Sequence, residues 1–215
     1  MKIGVIGSGA VGKVLASAFL QEGHEVMLGS RNPEKPEVVI WKSENNKGQT
    51  GNFETTAAFA ELIVLATKGT VTENAIELAG KNNFAGKIII DATNPISDAP
   101  PVNGIISFFT DQHQSFMEKL QMILPAAKFV KAFNSVGSAL MYKPDFNGQL
   151  PTMFICGNDA DAKKTITNIL ADFGWETEDM GVAAAARAIE PLCILWCIPG
   201  FLRNDWTHAF KMLKK

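Results

Sequence analysis

A chain of 215 residues, 47% hydrophobic and 20% charged, can bury one sizeable core, as one large domain or two small ones. Its net charge of −2 leaves no basic footprint for nucleic acid or an anionic membrane, which sets both aside as partners. Three cysteines (Cys156, Cys193, Cys197) and three histidines are too few for a disulfide framework, and they argue against a zinc site.

Met1-Lys2 leads straight into the apolar run Lys2–Ile6, read as a strand, so no signal peptide is expected and a cytoplasmic setting follows. Gly7 to Gly12 is a glycine-rich turn, and Val11 to Gln21 carries helical apolar spacing at Val11, Val14, Leu15, Ala18 and Phe19. Glu25 to Leu28 reads as a second strand. Asn32-Pro33 reads as an N-cap and first helical residue, opening a short helix through Val38 and Trp41. The polar stretch Ser43 to Asn52 reads as loop. A helix over Thr55 to Ala60, a strand over Leu62 to Ala66, a helix over Thr72 to Ala79 and a strand over Lys87 to Ile90 follow. Asp91 to Gly104 is a long loop, then come a helix near Gln112 to Ile123 and a strand over Lys128 to Phe133. Strand and helix alternate, and the strands are unbroken apolar runs, as in a parallel sheet covered on both faces.

The last third differs. Thr152 to Cys156 reads as a strand, Asp159 opens a helix to about Phe173, and Trp175 to Glu178 is a weak strand. From Gly181 the chain reads as helical, with a kink or break at Pro191 and another at Pro199-Gly200. The apolar stretch Ala188 to Leu202 reads as a buried helix, too short to span a bilayer. The expected fold is α/β, a Rossmann-type doubly wound, mostly parallel sheet over residues 1–150. A small C-terminal α/β and helical segment, 151–215, would complete a cleft and offer a dimer interface.

Gly7-x-Gly9-x-x-Gly12 follows a strand and opens a helix, the context a dinucleotide-binding loop requires. There Gly7 permits the tight turn, Gly9 lets backbone approach a diphosphate, and Gly12 lets helix pack on strand. Ser8, Ala10 and Val11 complete the loop, whose free amides face the anion. An NAD site has an acid about 20 residues further on, at the end of the second strand. Here the chain reads Gly29-Ser30-Arg31-Asn32 with Lys35 beyond, a hydroxyl and two cations suited to the 2′-phosphate of NADP(H). Thr67, Lys68, Asn94, Pro95 and Asn134 fall at the carboxyl ends of other strands, where an open parallel sheet binds ligands. Asn94 and Asn134 are the candidates for the nicotinamide end.

No catalytic residue stands out. The only tyrosine, Tyr142, has Phe146 four residues on rather than the lysine a Tyr-x-x-x-Lys pair needs. His24 sits in a turn, and His113 and His208 fall in stretches read as helical. An acceptor that takes hydride without a dedicated protein acid fits that pattern, because positioning supplies much of the rate.

Met1 to Gly12, Gly23-His-Glu-Val and Gly29-Ser-Arg-Asn-Pro33 resemble the NADP oxidoreductases dependent on the deazaflavin coenzyme F420. The likeness continues in Lys131-Ala-Phe-Asn134, Cys156-Gly-Asn-Asp159, Asp179-Met-Gly181, Ala186-Arg187 and Glu190-Pro191-Leu192. The N-terminal part is also similar to the cytosolic NADPH-binding domain of six-transmembrane metalloreductases. The resemblance implies that Ser8 to Val11 cradle the diphosphate and that Ser30, Arg31 and Lys35 hold the 2′-phosphate. It further implies hydride transfer between nicotinamide C4 and deazaflavin C5 in a cleft closed by the C-terminal segment. A small imine, ketone or metal chelate as acceptor, or an NADPH-binding sensor without turnover, stay open as alternatives.

Overall fold

A computed structural model describes residues 1–215. Six parallel strands form one sheet: β1 (Lys2–Ile6), β2 (Glu25–Gly29), β3 (Gln49–Gly51), β4 (Leu62–Leu65), β5 (Ile88–Asp91) and β6 (Lys128–Lys131). Their spatial order is β3-β2-β1-β4-β5-β6, so the winding reverses between β1 and β4. The connecting helices are α1 (Ala10–Gln21), α2 (Pro36–Glu44), α3 (Phe53–Phe59), α4 (Gly69–Ala79) and α5 (Phe116–Ile123).

Successive strand side chains point to opposite faces, and both faces are covered. Ile3, Val5, Leu62, Val64, Ile90 and Val130 pack with Leu15 and Phe19 of α1 and Trp41 of α2. Ile6, Ile63, Leu65, Ile89 and Phe129 pack on the other side with α3, α4 and α5, through Ala57, Ile76, Phe116 and Leu120. Burying each large apolar side chain is worth about 1.5–3 kcal/mol, which is why the strands are apolar throughout rather than at alternate positions.

The last third adds β7 (Thr152–Ile155), α6 (Ala160–Asp172), β8 (Glu176–Asp179), α7 (Ala186–Ile189) and α8 (Leu192–Arg203). β7 and β8 form a parallel pair, joined to the main sheet by a single antiparallel bridge in which Lys131 N–H donates to the Cys156 carbonyl at 3.0 Å. Met153, Ile155, Ile166 and Leu170 of this segment enter the same core cluster as β1 and α1.

Several local expectations are corrected. Helix α2 starts at Pro36, not Pro33: the Asn32 side chain accepts from Glu34 N–H at 3.1 Å in a turn, leaving Lys35 as N-cap and Pro36 at the first position. The stretch read as loop over Ser43 to Asn52 contains β3, an edge strand too short and polar to show an apolar pattern. The helix expected from Gln112 begins at Phe116, where Ser115 and Glu118 form a reciprocal capping box. His113 therefore lies in the preceding turn, donating its backbone N–H to Asp111.

Of the kink or break expected at Pro199, the break is absent: one lost hydrogen bond need not stop a helix, and α8 runs on to Arg203. Residues 204–215, expected to be helical, run as an irregular strap. Thr152 N–H donates to the Phe210 carbonyl at 2.8 Å, and Trp196 Nε1 donates to the His208 carbonyl at 2.8 Å, so His208 is not helical either. Nor is α8 buried all round: Cys193, Trp196 and Gly200 are buried, but Leu195, Phe201 and Leu202 are 55%, 46% and 56% exposed. The helical run Ala183–Arg203 is, at 21 residues, long and apolar enough by length and composition alone to cross a membrane, unlike the shorter stretch read from sequence. Within it, Arg187 and Glu190 are ion-paired to the rest of the fold.

Candidate functional site

Where the winding reverses, the loops after β1 and β4 part and leave a crevice at the carboxyl ends of the strands. Gly7, leaving β1 at φ +123°, adopts a backbone that other residues rarely take. Gly12 lies so close to it that a Cβ there would sit 1.8 Å from the Gly7 carbonyl oxygen. Gly9 is the opposite case, since a Cβ built on it meets nothing within 4 Å. It is the N-cap of α1, with no side-chain cap and no acid in the first turn, so the first amides lack a competing protein anion.

A cleft of about 490 Å³ opens from that loop. Gly7, Ser8, Gly9, Ser30, Arg31, Asn32, Lys35, Thr67 and Lys68 line it, so nine of the expected positions are brought together. Phe53, Val71, Asn74 and Ala75 join them unforeseen, because nothing local in α3 or α4 points to a ligand. A smaller, mainly apolar pocket of about 300 Å³ shares Gly9, Thr67 and Lys68 and continues to Ala10, Val11, Ala92, Asn94 and Ile96. Gly12, Pro95 and Asn134 line neither pocket. Gly12 packs on the loop, Pro95 is buried with its carbonyl taking Phe109 N–H, and Asn134 sits behind Asn94.

The charges are distributed unevenly. Arg31 is exposed at the cleft rim, and Lys35 reaches Glu37 at 3.2 Å. Ser30 is buried and its hydroxyl donates to the Asn32 carbonyl, so an entering phosphate meets Arg31 first. Lys68 pairs with the exposed Asp98 rather than pointing free at a phosphate. Thr67 shares a 2.8 Å hydrogen bond with the Thr72 hydroxyl.

Below the apolar pocket lies a buried ionic cluster that sequence patterns did not foresee. Asp91 and Lys131 are register partners on β5 and β6, and Lys131 Nζ approaches Asp91 Oδ2 at 2.8 Å in geometry too oblique for a good hydrogen bond. It also meets Glu190 Oε1 at 3.0 Å and donates to the Thr93 carbonyl at 3.0 Å. Burial alone would lower the Lys131 pKa, but the two adjacent carboxylates outweigh that and raise it. Asp91 Oδ1 accepts from Thr93 N–H and Oγ1–H, and Glu190 accepts the Phe116 and Met117 N–H groups at the start of α5. Nearby, burial pushes the Cys156 thiol up to about 12, leaving it an inert packing group. No group of three or more His, Cys, Asp and Glu side chains is placed to hold a metal ion.

Residues 2–95 match the family described as NADP oxidoreductase coenzyme F420-dependent. The fold superposes with a TM-score of 0.91, at 32% identity over the whole of both chains, on a crystal structure provisionally named an F420-dependent NADP-reductase from Arthrobacter sp. FB24. Metalloreductase STEAP3 of Rattus norvegicus is 31% identical over 94% of this chain, which spans only 39% of that protein's length. A reductive aminase from Aspergillus terreus, solved with NADPH and ethyl-5-oxohexanoate, shares the fold at a TM-score of 0.66. Its identity is 16%, over 94% of this chain and 62% of that one.

Proposed function

Since this chain belongs to the coenzyme F420-dependent NADP oxidoreductase family and is an NADP-dependent oxidoreductase, we propose that it exchanges hydride between NADPH and a deazaflavin of the F420 class. The carrying observation is the contrast between the two ends of the crevice. One end is polar and cationic around Ser30, Arg31 and Lys35; the other is an apolar pocket whose wall, apart from Lys68 already paired to Asp98, holds no titratable side chain.

The residues present fit the nucleotide. The open space over Gly9 and the uncapped first turn of α1 would admit the diphosphate, and Arg31 with Lys35 would hold the 2′-phosphate. Ala10, Val11, Ala92 and Ile96 would seat the nicotinamide ring, with Asn94 as the polar group that orients its carboxamide. NADPH, when bound, supplies the hydride from nicotinamide C4. The protein's part is to align that ring with a planar acceptor and keep water from one face. With Lys68, the one titratable side chain at that end, paired to Asp98, an imine or ketone, which needs a proton on nitrogen or oxygen as hydride arrives, is served less well than a deazaflavin.

Residues 151–215 would complete the acceptor side of the cleft. The exposed apolar residues Val102, Ile105, Leu195 and Leu202 are where a second copy of the chain would pack. Anaerobic mixing of the protein with NADPH and oxidised F420, with NADH in parallel, tests the proposal. NADPH-specific bleaching of the deazaflavin absorbance is expected. Turnover of imines, ketones or ferric chelates but not of F420 would overturn the acceptor assignment, and tight NADPH binding with no turnover of any of them would favour a sensor.

A further inference from the structure

Lys131 gathers three segments on one fully buried ammonium: the exit of β5 through Asp91 and Thr93, the exit of β6, and the junction of α7 and α8 through Glu190. Each contact lies close in the chain to a group at the apolar end of the crevice. Thr93 precedes Asn94, whose Nδ2 donates to the Asn134 carbonyl at 2.7 Å. Glu190 follows Ile189, whose carbonyl accepts from Asn134 Nδ2 at 3.0 Å. Between Lys131 and Asn134 stands Phe133, a buried aromatic held at φ +63°, a conformation that persists only where the surroundings impose it. The Asn134 Oδ1 atom is buried and has no partner.

Stability alone does not account for such a cluster. A lysine with two carboxylates is costly to desolvate, and apolar residues of similar volume often serve a core as well or better. Resting on the crevice being an NADPH site, we propose that Lys131 is a positioning residue. It sets the Asn94–Asn134 carboxamide pair and the C-terminal segment in one register, so that the nicotinamide half of the bound nucleotide depends on it and the adenine half does not. The adenine half binds on the far side of Gly9, among Ser30, Arg31 and Lys35, none of which touches the cluster.

Lys131→Met would strand two buried carboxylates and threaten folding, so the test uses Glu190→Gln and Asp91→Asn. Each leaves the lysine with one carboxylate; Asp91→Asn keeps the oxygen that accepts from Thr93, while Glu190→Gln keeps an oxygen for only one of the two amides, Phe116 and Met117, that its carboxylate serves. Titration calorimetry, well below each melting temperature, compares NADPH with adenosine 2′,5′-bisphosphate, which carries the adenine half alone. Both variants should lose about tenfold in NADPH affinity, a change the size of one lost hydrogen bond, with the bisphosphate unchanged within about twofold. The rate at saturating NADPH should fall by at least that factor. Arg187→Ala cuts the other clasp between the C-terminal segment and α5, the Arg187–Glu118 pair, and should leave both affinities as they were.

Unchanged NADPH binding in the two cluster variants, equal losses for both ligands, or the same pattern in Arg187→Ala would each overturn the positioning role. Should one cluster variant fail to fold, the other decides. A wild-type chain that binds neither ligand would sink the crevice assignment, and this inference with it, before any variant is measured.

Discussion

Two alanine substitutions three residues apart, at Gly9 and Gly12, separate binding from folding in the same loop. At Gly12 the added methyl would lie 1.8 Å from the Gly7 carbonyl oxygen and 2.8 Å from its carbon, both backbone atoms that no rotamer change can move. Helix α1 must withdraw from the β1 turn, and overpacking of that kind costs about 3 kcal/mol or more. For a chain of this size the melting temperature should fall by roughly 6–12 °C. At Gly9 the methyl meets nothing within 4 Å, and the residue sits at φ −74°, ψ −172°, where alanine is at ease. Reduced freedom of the unfolded chain offsets the poorer N-cap, so stability should change by less than about 1 kcal/mol. The same methyl occupies the space proposed for the diphosphate, and NADPH affinity should drop at least about tenfold, or roughly 1.4 kcal/mol. Scanning fluorimetry and titration calorimetry on the two variants suffice. Normal NADPH binding by Gly9→Ala would show that the diphosphate does not cross this residue, and a normal melting temperature for Gly12→Ala would refute the packing argument.

Arg31→Ala should weaken NADPH about tenfold and leave NADH within about twofold, because a charge-assisted contact of about 1.5–3 kcal/mol is trimmed toward its lower end at an exposed rim. Calorimetry at fixed salt reads both, and equal losses for the two nucleotides would remove the 2′-phosphate from this residue. Arg187→Ala should lower the melting temperature by no more than a few degrees at pH 7, since water screens a pair whose arginine is half exposed. Arg187, aided by Ser115, holds the Glu118 carboxyl down at about 2. A depressed carboxylate contributes its stability above its ordinary pKa of 4.5 and loses it as the pH falls toward 2, so the gap between wild type and variant should narrow from pH 5 to pH 3. A gap that stays constant over that range would show that Arg187 acts by packing instead of charge.

The β1–loop–α1 unit was legible in the sequence because its causes are local. Apolar period, glycine spacing and helix start all lie within the first 21 residues, and strand β1 with the crevice loop follows from them. The alternation of strand and helix through β6 was legible for the same reason, except for the short polar edge strand β3. Competition between equivalent local signals was not: Pro33 and Pro36 each suit a helix start, and the turn made by the Asn32 side chain decides for Pro36. The strap over residues 204–215 escaped as well, since its conformation is dictated by the open edge of β7 and by Trp196 rather than by its own pattern.

What the sequence by itself determined is the α/β class, the doubly wound character of the sheet and the loop residues after β1 and β2 that line the crevice, because periodicity and chain order are enough to specify them. What only the tertiary structure decided is the meaning of charges far apart in the chain. Lys128 and Lys131 bound the same short strand and look alike in sequence. Lys128 reaches Asp159 at the surface, while Lys131 is sealed between Asp91 and Glu190. The difference lies in strand register and in the docking of a segment 59 residues away, and in the cost of desolvating a charge, which no local pattern carries.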